Sequence, residues 1–267
     1  MQLNGKRVVL TGATGGVGSL IAKLLAEKGA SLALVGRSAD KLNLLKNSLT
    51  NKNESHVIIV ADFEQINAAQ NVIDAANQQL GSIDILINNA GILDFTWLEN
   101  QSEVRIAHMV QTNVTTLIQL TRAVLPQFKA QNHGHYVMIG SIFGSLGFPH
   151  FATYCATKFA VHGFSQALRR ELFGSNIGVT YIAPRAINTP MMDDKTANMM
   201  KASGNAMDAP EKVAAMIVNA LEKEKQELFI GQPQTFFAWL NGIAPKIVNL
   251  GLKSQVKIAS PFLKDKH

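Results

Sequence analysis

The chain has 267 residues and a net charge of +6, and it is 47% hydrophobic and 16% charged; this composition excludes a disordered or fibrous protein and is typical of a globular one with a large core. Its single cysteine, Cys155, excludes an intramolecular disulfide framework and favours a reducing, cytoplasmic compartment. We expect neither a signal peptide nor a membrane-spanning helix, because the sequence has no run of about 20 uncharged apolar residues.

Seven short runs rich in β-branched residues or leucine predict buried parallel strands. They are residues 6–12, 31–37, 56–63, 83–91, 135–141, 177–184 and 226–231. Helical patterns lie between them, at about 17–28, 40–50, 64–80, 102–131, 154–174 and 210–224. The alternation predicts an α/β fold: a doubly wound, Rossmann-like parallel sheet of seven strands with helices on both faces. We expect a single catalytic domain over residues 1–231.

Helix boundaries are indicated by short polar residues and by proline. Asp40, Ser102 and Asp208 are predicted N-caps, because a short side-chain oxygen can accept a hydrogen bond from a free N–H group of the first turn. Pro210 suits the first turn of a helix, where its missing N–H group leaves no hydrogen bond unmade.

The first predicted strand ends in TGATGGVG, residues 11–18, and an apolar helix follows at once. Gly12 permits a tight turn, Gly16 lets the backbone approach a pyrophosphate, and Gly18 lets the helix pack closely on the strand. The free N–H groups at the helix N-terminus can then bind the phosphates. The pattern favours a dinucleotide site over the alternative, which is a plain turn.

The end of the second strand indicates which dinucleotide binds. Many such sites carry an acid there, which binds the ribose 2′-hydroxyl. This chain has Gly36, Arg37 and Ser38, with no acid before Asp40. Arginine can pair with a 2′-phosphate in a charge-assisted contact worth about 1.5–3 kcal/mol. The sequence therefore favours NADP (NADPH) over NAD; the alternative is a surface arginine at a strand end.

Seven motifs occur in the order found in the short-chain dehydrogenase/reductase family, and the chain resembles its short, single-domain branch. The motifs are TGATGGVG (11–18), the acid of VADF at Asp62, NNAG (88–91), Asn113, Ser141, YCATK (154–158) and PRAINTP (184–190). The spacing between Ser141 and Tyr154 is also usual in the family. The resemblance covers residues 3 to about 231 and implies an oxidoreductase that acts on an alcohol or carbonyl group.

Tyr154 and Lys158 lie four residues apart, on one face of a predicted helix. A tyrosine with its ordinary pKa of about 10 exchanges protons slowly near neutrality. Lowering that pKa by about three units takes about 4 kcal/mol, which we expect Lys158 and the nicotinamide cation to supply jointly. The resemblance implies that Tyr154 is the general acid/base and that Ser141 hydrogen-bonds the substrate oxygen. It also implies that Lys158 holds the nicotinamide ribose and that Asn113 positions a water.

The resemblance implies further cofactor contacts along the chain. Asp62 is expected to bind the adenine amino group, and residues 89–91 to line the adenosine ribose and the nicotinamide side. Ile187 and Thr189 are expected to contact the carboxamide, or a phosphate in the case of Thr189. The predicted cofactor site comprises Gly12, Thr14, Gly16, Val17, Gly18, Arg37, Ser38, Asp62, Phe63, Asn89, Ala90, Gly91, Tyr154, Lys158, Pro184, Ile187 and Thr189. No metal is expected.

One residue departs from the family pattern. The family has glycine after the proline that ends the sixth strand, whereas here Pro184 is followed by Arg185. We expect the arginine side chain to point to solvent. The alternatives are that it narrows the site or offers a cation to an acidic substrate, and none of the three excludes activity.

Apolar residues flank the catalytic positions and occupy the segment at about 189–209, where the family has a mobile substrate lid. They are Phe95, Trp97, Ile142, Phe143, Phe148, Phe151, Met191, Met192, Met199 and Met200. Such residues predict an adaptable apolar pocket, with core packing as the alternative. We therefore expect a lipophilic alcohol or carbonyl substrate, such as a steroid, a retinoid, a long-chain aldehyde or a fatty acyl compound. His150 and Cys155 are interpreted as packing or pocket residues.

The strand–helix alternation stops at about residue 231, and residues 232–267 form a basic, amphipathic C-terminal extension. The extension has five lysines and one acid, which indicates a solvated tail or contact with an anionic surface such as lipid headgroups or an acidic carrier protein. Apolar residues at 236, 240, 243, 247 and 250 predict a helical seam that Pro245 kinks or divides. Packing as a lid or on another subunit is favoured for the seam, with a membrane interface as the alternative.

Three functions are compatible with these features. An NADP-dependent oxidoreductase for a lipophilic substrate is favoured. The alternatives are a reductase of 3-oxoacyl thioesters on acyl carrier protein or coenzyme A, and a non-catalytic NADP-binding regulator. The helices at 102–131 and 154–174 pair subunits in the family, so the resemblance implies a homodimer or homotetramer. No nucleic-acid partner is expected, because the basic residues are not interleaved with aromatic ones.

Overall fold

The computed structural model describes residues 1–50 and 55–263, and seven strands in this part of the chain form one parallel sheet. The strands are β1 (Arg7–Thr11), β2 (Ser31–Gly36), β3 (Val57–Val60), β4 (Ile85–Asn88), β5 (Gly134–Ile139), β6 (Ile177–Pro184) and β7 (Glu227–Ile230). Their order is β3-β2-β1-β4-β5-β6-β7, and every neighbouring pair is parallel. This confirms the predicted doubly wound, Rossmann-like sheet.

Helices connect the strands and continue beyond the last one. They are α1 (Gly16–Glu27), α2 (Ala39–Asn47), α3 (Ala68–Leu80), α4 (Glu103–Val110), α5 (Thr116–Ala130), α6 (Ala152–Glu171), α7 (Asp194–Ala202), α8 (Pro210–Glu222), α9 (Gln234–Ile243) and α10 (Pro245–Leu263). A π-helical turn, Gln111–Thr115, joins α4 to α5. The single long helix predicted at 102–131 is therefore interrupted, and α7 was not predicted.

Both faces of the sheet are covered because its strands are apolar on both sides. Val8 and Leu10 of β1 belong to a buried cluster that includes Ile21 of α1 and Ile217 of α8. Val9, which points to the opposite face, lies in a second buried cluster formed with α3, α5 and α6. Two helical layers hold the sheet rigid, so the loops at the carboxyl ends of the strands start from fixed positions.

The helix caps correct two predictions. Ser102 caps α4 as predicted, because its hydroxyl accepts a hydrogen bond from the Arg105 N–H at 3.2 Å. Ser38, and not Asp40, caps α2. The N-cap of α8 is Ala209 and not Asp208, whose carboxylate is held by Arg185 instead. Pro210 is the first residue of α8, as expected.

The C-terminal extension forms α9 and α10, which divide at Pro245 as predicted. Ala238 and Val248 pack on Ile142 and Leu146, and the end of α10 packs on α7. The predicted seam does not make these contacts, because its members are exposed except for Leu240. The charged residues 264–266 of the extension lie outside the described residues. None of the described helices is long and apolar enough to cross a membrane.

Candidate active site

A cavity of about 630 Å³ opens at the carboxyl ends of the strands, beside the loops that follow β1 and β4. Strand order reverses between these two strands, and open α/β sheets bind ligands at such a point. The lining runs from the glycine loop to Tyr154 and the lid segment. Every residue of the predicted site lines the cavity except Ser38 and Asn113.

The glycine loop has no room for side chains at two positions. A Cβ atom on Gly18 would lie 2.2 Å from the carbonyl oxygen of Gly12, and Gly12 itself has a φ of +61°. Asn89 ties this turn to the end of β4, because its Nδ2 donates to the carbonyl oxygens of Thr11 and Gly12 at 3.0 and 3.1 Å. Among residues 1–50 and 55–263, no side chain caps α1, so its first N–H groups are available to phosphate oxygens, and the loop fits a pyrophosphate.

Two cations line the cavity at the carboxyl end of β2. Arg37 is exposed there, as the sequence predicts, and Lys41 lines the cavity from the first turn of α2. Ser38 does not line it, because its hydroxyl accepts a hydrogen bond from the Lys41 N–H at 3.4 Å and caps α2. The sequence analysis missed Lys41, which lies at the third position of α2.

Tyr154 and Ser141 meet at the opposite end of the cavity. Ser141 follows β5, and its hydroxyl lies near enough to that of Tyr154 to act on the tyrosine pKa. The enclosing protein raises the pKa of Tyr154 to about 12 by desolvation, which outweighs the opposing effect of the Ser141 hydrogen bond. In the protein without a bound cofactor, the Tyr154 hydroxyl is therefore protonated at neutral pH and can donate a hydrogen bond.

Lys158 is buried beside Tyr154. Its Nζ donates to the carbonyl oxygen of Ile139 at 3.0 Å and lies 5.6 Å from the centroid of the Tyr154 ring. Burial lowers the pKa of Lys158 to about 8. In the chain without cofactor, desolvation dominates the pKa values of both Tyr154 and Lys158. The lowering expected from Lys158 and the nicotinamide cation together stays a prediction.

Asn113 lies at the centre of the π-helical turn, and its side chain hydrogen-bonds two segments that line the site. Its Oδ1 accepts from the Ile92 N–H at 2.8 Å, and its Nδ2 donates to the Ile92 carbonyl at 2.8 Å and to Thr157 Oγ1 at 3.1 Å. It therefore joins the loop after β4 to α6, which carries Lys158. The π turn was missed because one extra residue leaves the apolar spacing of a long helix almost unchanged.

Arg185 does not point to solvent, which corrects the prediction for this residue. Its guanidinium makes two hydrogen bonds of 2.8 Å to the carboxylate of Asp208, at the end of the lid segment. It also donates to the Gln232 carbonyl at 2.7 Å. Gly231, with a φ of +103°, leaves the space that the side chain crosses. Arg185 thus links β6, the lid and the C-terminal extension.

The part of the cavity around Tyr154 is apolar. Its aliphatic and aromatic lining residues are Leu93, Ile142, Phe143, Phe151, Met191, Met192 and Met200. The other predicted pocket residues, Phe95, Trp97, Phe148 and Met199, pack in the apolar cluster behind this lining. His150 and Cys155 do not line the cavity. The arrangement places the Tyr154 hydroxyl between this apolar space and the part of the cavity that begins at the glycine loop.

The profile of the short chain dehydrogenase family matches residues 6–200. An uncharacterized oxidoreductase of Staphylococcus saprophyticus is 32% identical over 240 residues, which are 86% of this chain and 96% of that protein. A 3-oxoacyl-[acyl-carrier-protein] reductase of Vibrio cholerae is 30% identical over 222 residues, with 81% and 90% covered. A short chain dehydrogenase/reductase of Burkholderia phymatum, solved in complex with NAD, has a TM-score of 0.83 at 21% identity over 92% of this chain and 96% of its own.

Proposed function

The chain belongs to the short-chain dehydrogenase family and is an oxidoreductase of that family, and from this premise we propose that it is an NADP(H)-dependent reductase of lipophilic carbonyl compounds. The observation that carries the proposal is the position of Tyr154, between an apolar space and the groove that starts at the glycine loop. A nicotinamide cofactor bound in this groove supplies the hydride, and the chain's own residues supply the proton and hold the substrate oxygen.

The proton transfer follows from the contacts of Tyr154. In the reductive direction its hydroxyl donates a proton to the substrate oxygen, on which negative charge develops. Ser141 lies within hydrogen-bond reach of the same hydroxyl and can stabilise that charge. The raised pKa keeps the proton on Tyr154 at neutral pH. In the oxidative direction the same residue must act as the tyrosinate, which a bound cation would have to stabilise.

A test of the function measures NADPH consumption against three kinds of compound: apolar ketones, apolar aldehydes and a 3-oxoacyl thioester. We expect turnover of the apolar ketones and aldehydes, with KM falling as the carbon chain lengthens. The Tyr154→Phe variant, which lacks the proposed proton donor, is the inactive control. Tight NADPH binding without turnover of any compound would instead favour the non-catalytic regulator.

A second candidate function is reduction of 3-oxoacyl thioesters. The Vibrio relative carries that name, and lysines at 246, 253 and 257 give the C-terminal helices a cationic surface that suits an acidic carrier protein. Against it, α10 packs on the lid helix α7 and adds an apolar cover to the substrate side. A kcat/KM for acetoacetyl-coenzyme A above that for every simple ketone would establish this second candidate.

The proposed preference for NADP rests on Arg37 and Lys41 at the cavity. We expect Arg37→Ala to raise the KM for NADPH about 10- to 100-fold, because a charge-assisted phosphate contact is worth about 1.5–3 kcal/mol. The KM for NADH should stay unchanged, because NADH has no 2′-phosphate. The matched control is Arg170→Ala, which removes an exposed arginine on α6. An equal change in both KM values would contradict a phosphate contact.

A further inference from the structure

The two C-terminal helices carry an exposed apolar surface, called here the α9–α10 face. Its members are the exposed large apolar side chains Phe236, Phe237, Trp239, Ile243, Ile247 and Leu250. Trp239, Ile243 and Leu250 are 61%, 66% and 65% exposed. Single exposed apolar residues are ordinary, but six of them within one short helical pair mark an interaction surface.

The aromatic members of the face lie together. The Phe236 ring centroid is 5.8 Å from that of Phe237 and 5.8 Å from that of Trp239. Tryptophan and phenylalanine exposed on an amphipathic helix are typical of segments that lie in the plane of a bilayer interface. Such a helix buries its apolar side among the headgroups without crossing the membrane.

The charge of this segment has one sign. Residues 231–263 contain three lysines, Lys246, Lys253 and Lys257, and no acid, and all three are exposed. A cationic rim around apolar residues is complementary to anionic lipid headgroups. Pairing this face with a second copy of itself would be less favourable, because each copy would add three lysines and no acid from this segment to the interface.

We propose that the α9–α10 face docks on an anionic phospholipid bilayer. The aromatic cluster enters the interfacial layer, and the three lysines lie at the headgroups. The opposite side of the helices remains on the protein, where Ala238 and Val248 are buried. Gln234, the first residue of α9, lines the cavity, so docking brings the substrate cavity close to the lipid. The docking does not rest on the proposed function, because neither contact involves catalysis.

The test uses the full chain in flotation with vesicles of phosphatidylcholine alone and vesicles that also contain phosphatidylserine. We expect flotation with the anionic vesicles, at low salt more than at high salt. A triple Lys246→Gln, Lys253→Gln, Lys257→Gln variant should lose about a hundredfold in partitioning, since each lysine near the surface contributes about fivefold. A Phe236→Ser, Trp239→Ser variant should lose at least about tenfold.

Matched controls separate this surface from general effects of charge or hydrophobicity. Phe173→Ser removes a phenylalanine that is 93% exposed elsewhere, and Lys23→Gln, Lys129→Gln, Lys225→Gln removes three other exposed lysines. Both controls should float like the wild type. Absence of flotation, or equal loss in controls and test variants, would overturn the proposal. A dimer that Trp239→Ser dissociates, in a chain that binds no vesicles, would show that the face is a subunit interface.

Discussion

Tyr154→Phe is expected to lower turnover by about 10²–10⁴-fold while leaving NADPH binding intact. General acid catalysis by a positioned side chain contributes about 10²–10⁴-fold, and Tyr154, which lines the cavity, is the proposed proton donor. Phenylalanine keeps the ring, so the packing against Phe143 and Phe151 is retained. Single-turnover NADPH oxidation measures the first effect, and fluorescence titration with NADPH measures the second.

The matched control is Tyr136→Phe, which removes the same atom from a buried tyrosine remote from the cavity. The Tyr136 hydroxyl donates to the Thr121 carbonyl at 3.1 Å, so this variant should lose about 1 kcal/mol of stability and keep full turnover. Retained turnover in Tyr154→Phe would show that the proton comes from elsewhere and would remove the central step of the proposed function. Loss of NADPH binding would instead indicate a role in holding the cofactor.

The sheet was predictable from the sequence because buried strands depend on local patterns, and most of the predicted cavity lining came from the motifs that resemble the family. Buried parallel strands read as continuous apolar runs, and the loop at Gly12 needs residues without side chains at fixed spacing. The same holds for Tyr154 and Lys158, because helical periodicity alone places residues four apart on one face. No tertiary information is needed for any of these.

The features that were missed depend on contacts between distant segments. Arg185 pairs with Asp208, and this pairing takes Asp208 away from its predicted role as a helix cap. The pKa values of Tyr154 and Lys158 follow from how completely the fold encloses them, which no spacing reveals. The apolar seam of the extension was visible, but periodicity shows only that a helix has an apolar face and not what covers that face.

Lys158→Met is expected to abolish turnover and yet to stabilise the protein in the absence of cofactor. The folded chain holds Lys158 with a pKa of about 8, below its ordinary value of 10.5, so folding at neutral pH carries a burial cost of about 3 kcal/mol. Methionine removes that cost but leaves the Ile139 carbonyl without its donor, which costs about 1–3 kcal/mol. The net gain expected from urea unfolding at pH 7 is about 1 kcal/mol.

The pH dependence identifies the cause of this gain. Between pH 8 and pH 10.5 the unfolded chain holds a proton on Lys158 that the folded chain does not, so raising the pH through this window favours the folded wild type. The advantage of Lys158→Met should therefore shrink from pH 8 towards pH 10, because only the wild type gains. Lys129→Met, at an exposed position, should show no such trend. If Lys158→Met is destabilised and its difference from the wild type does not change with pH, then Lys158 has the same pKa in the folded and the unfolded chain. If the expected gain is observed, the wild type is less stable than a variant without this lysine. Lys158 is then a residue kept for the chemistry of the site and not for folding.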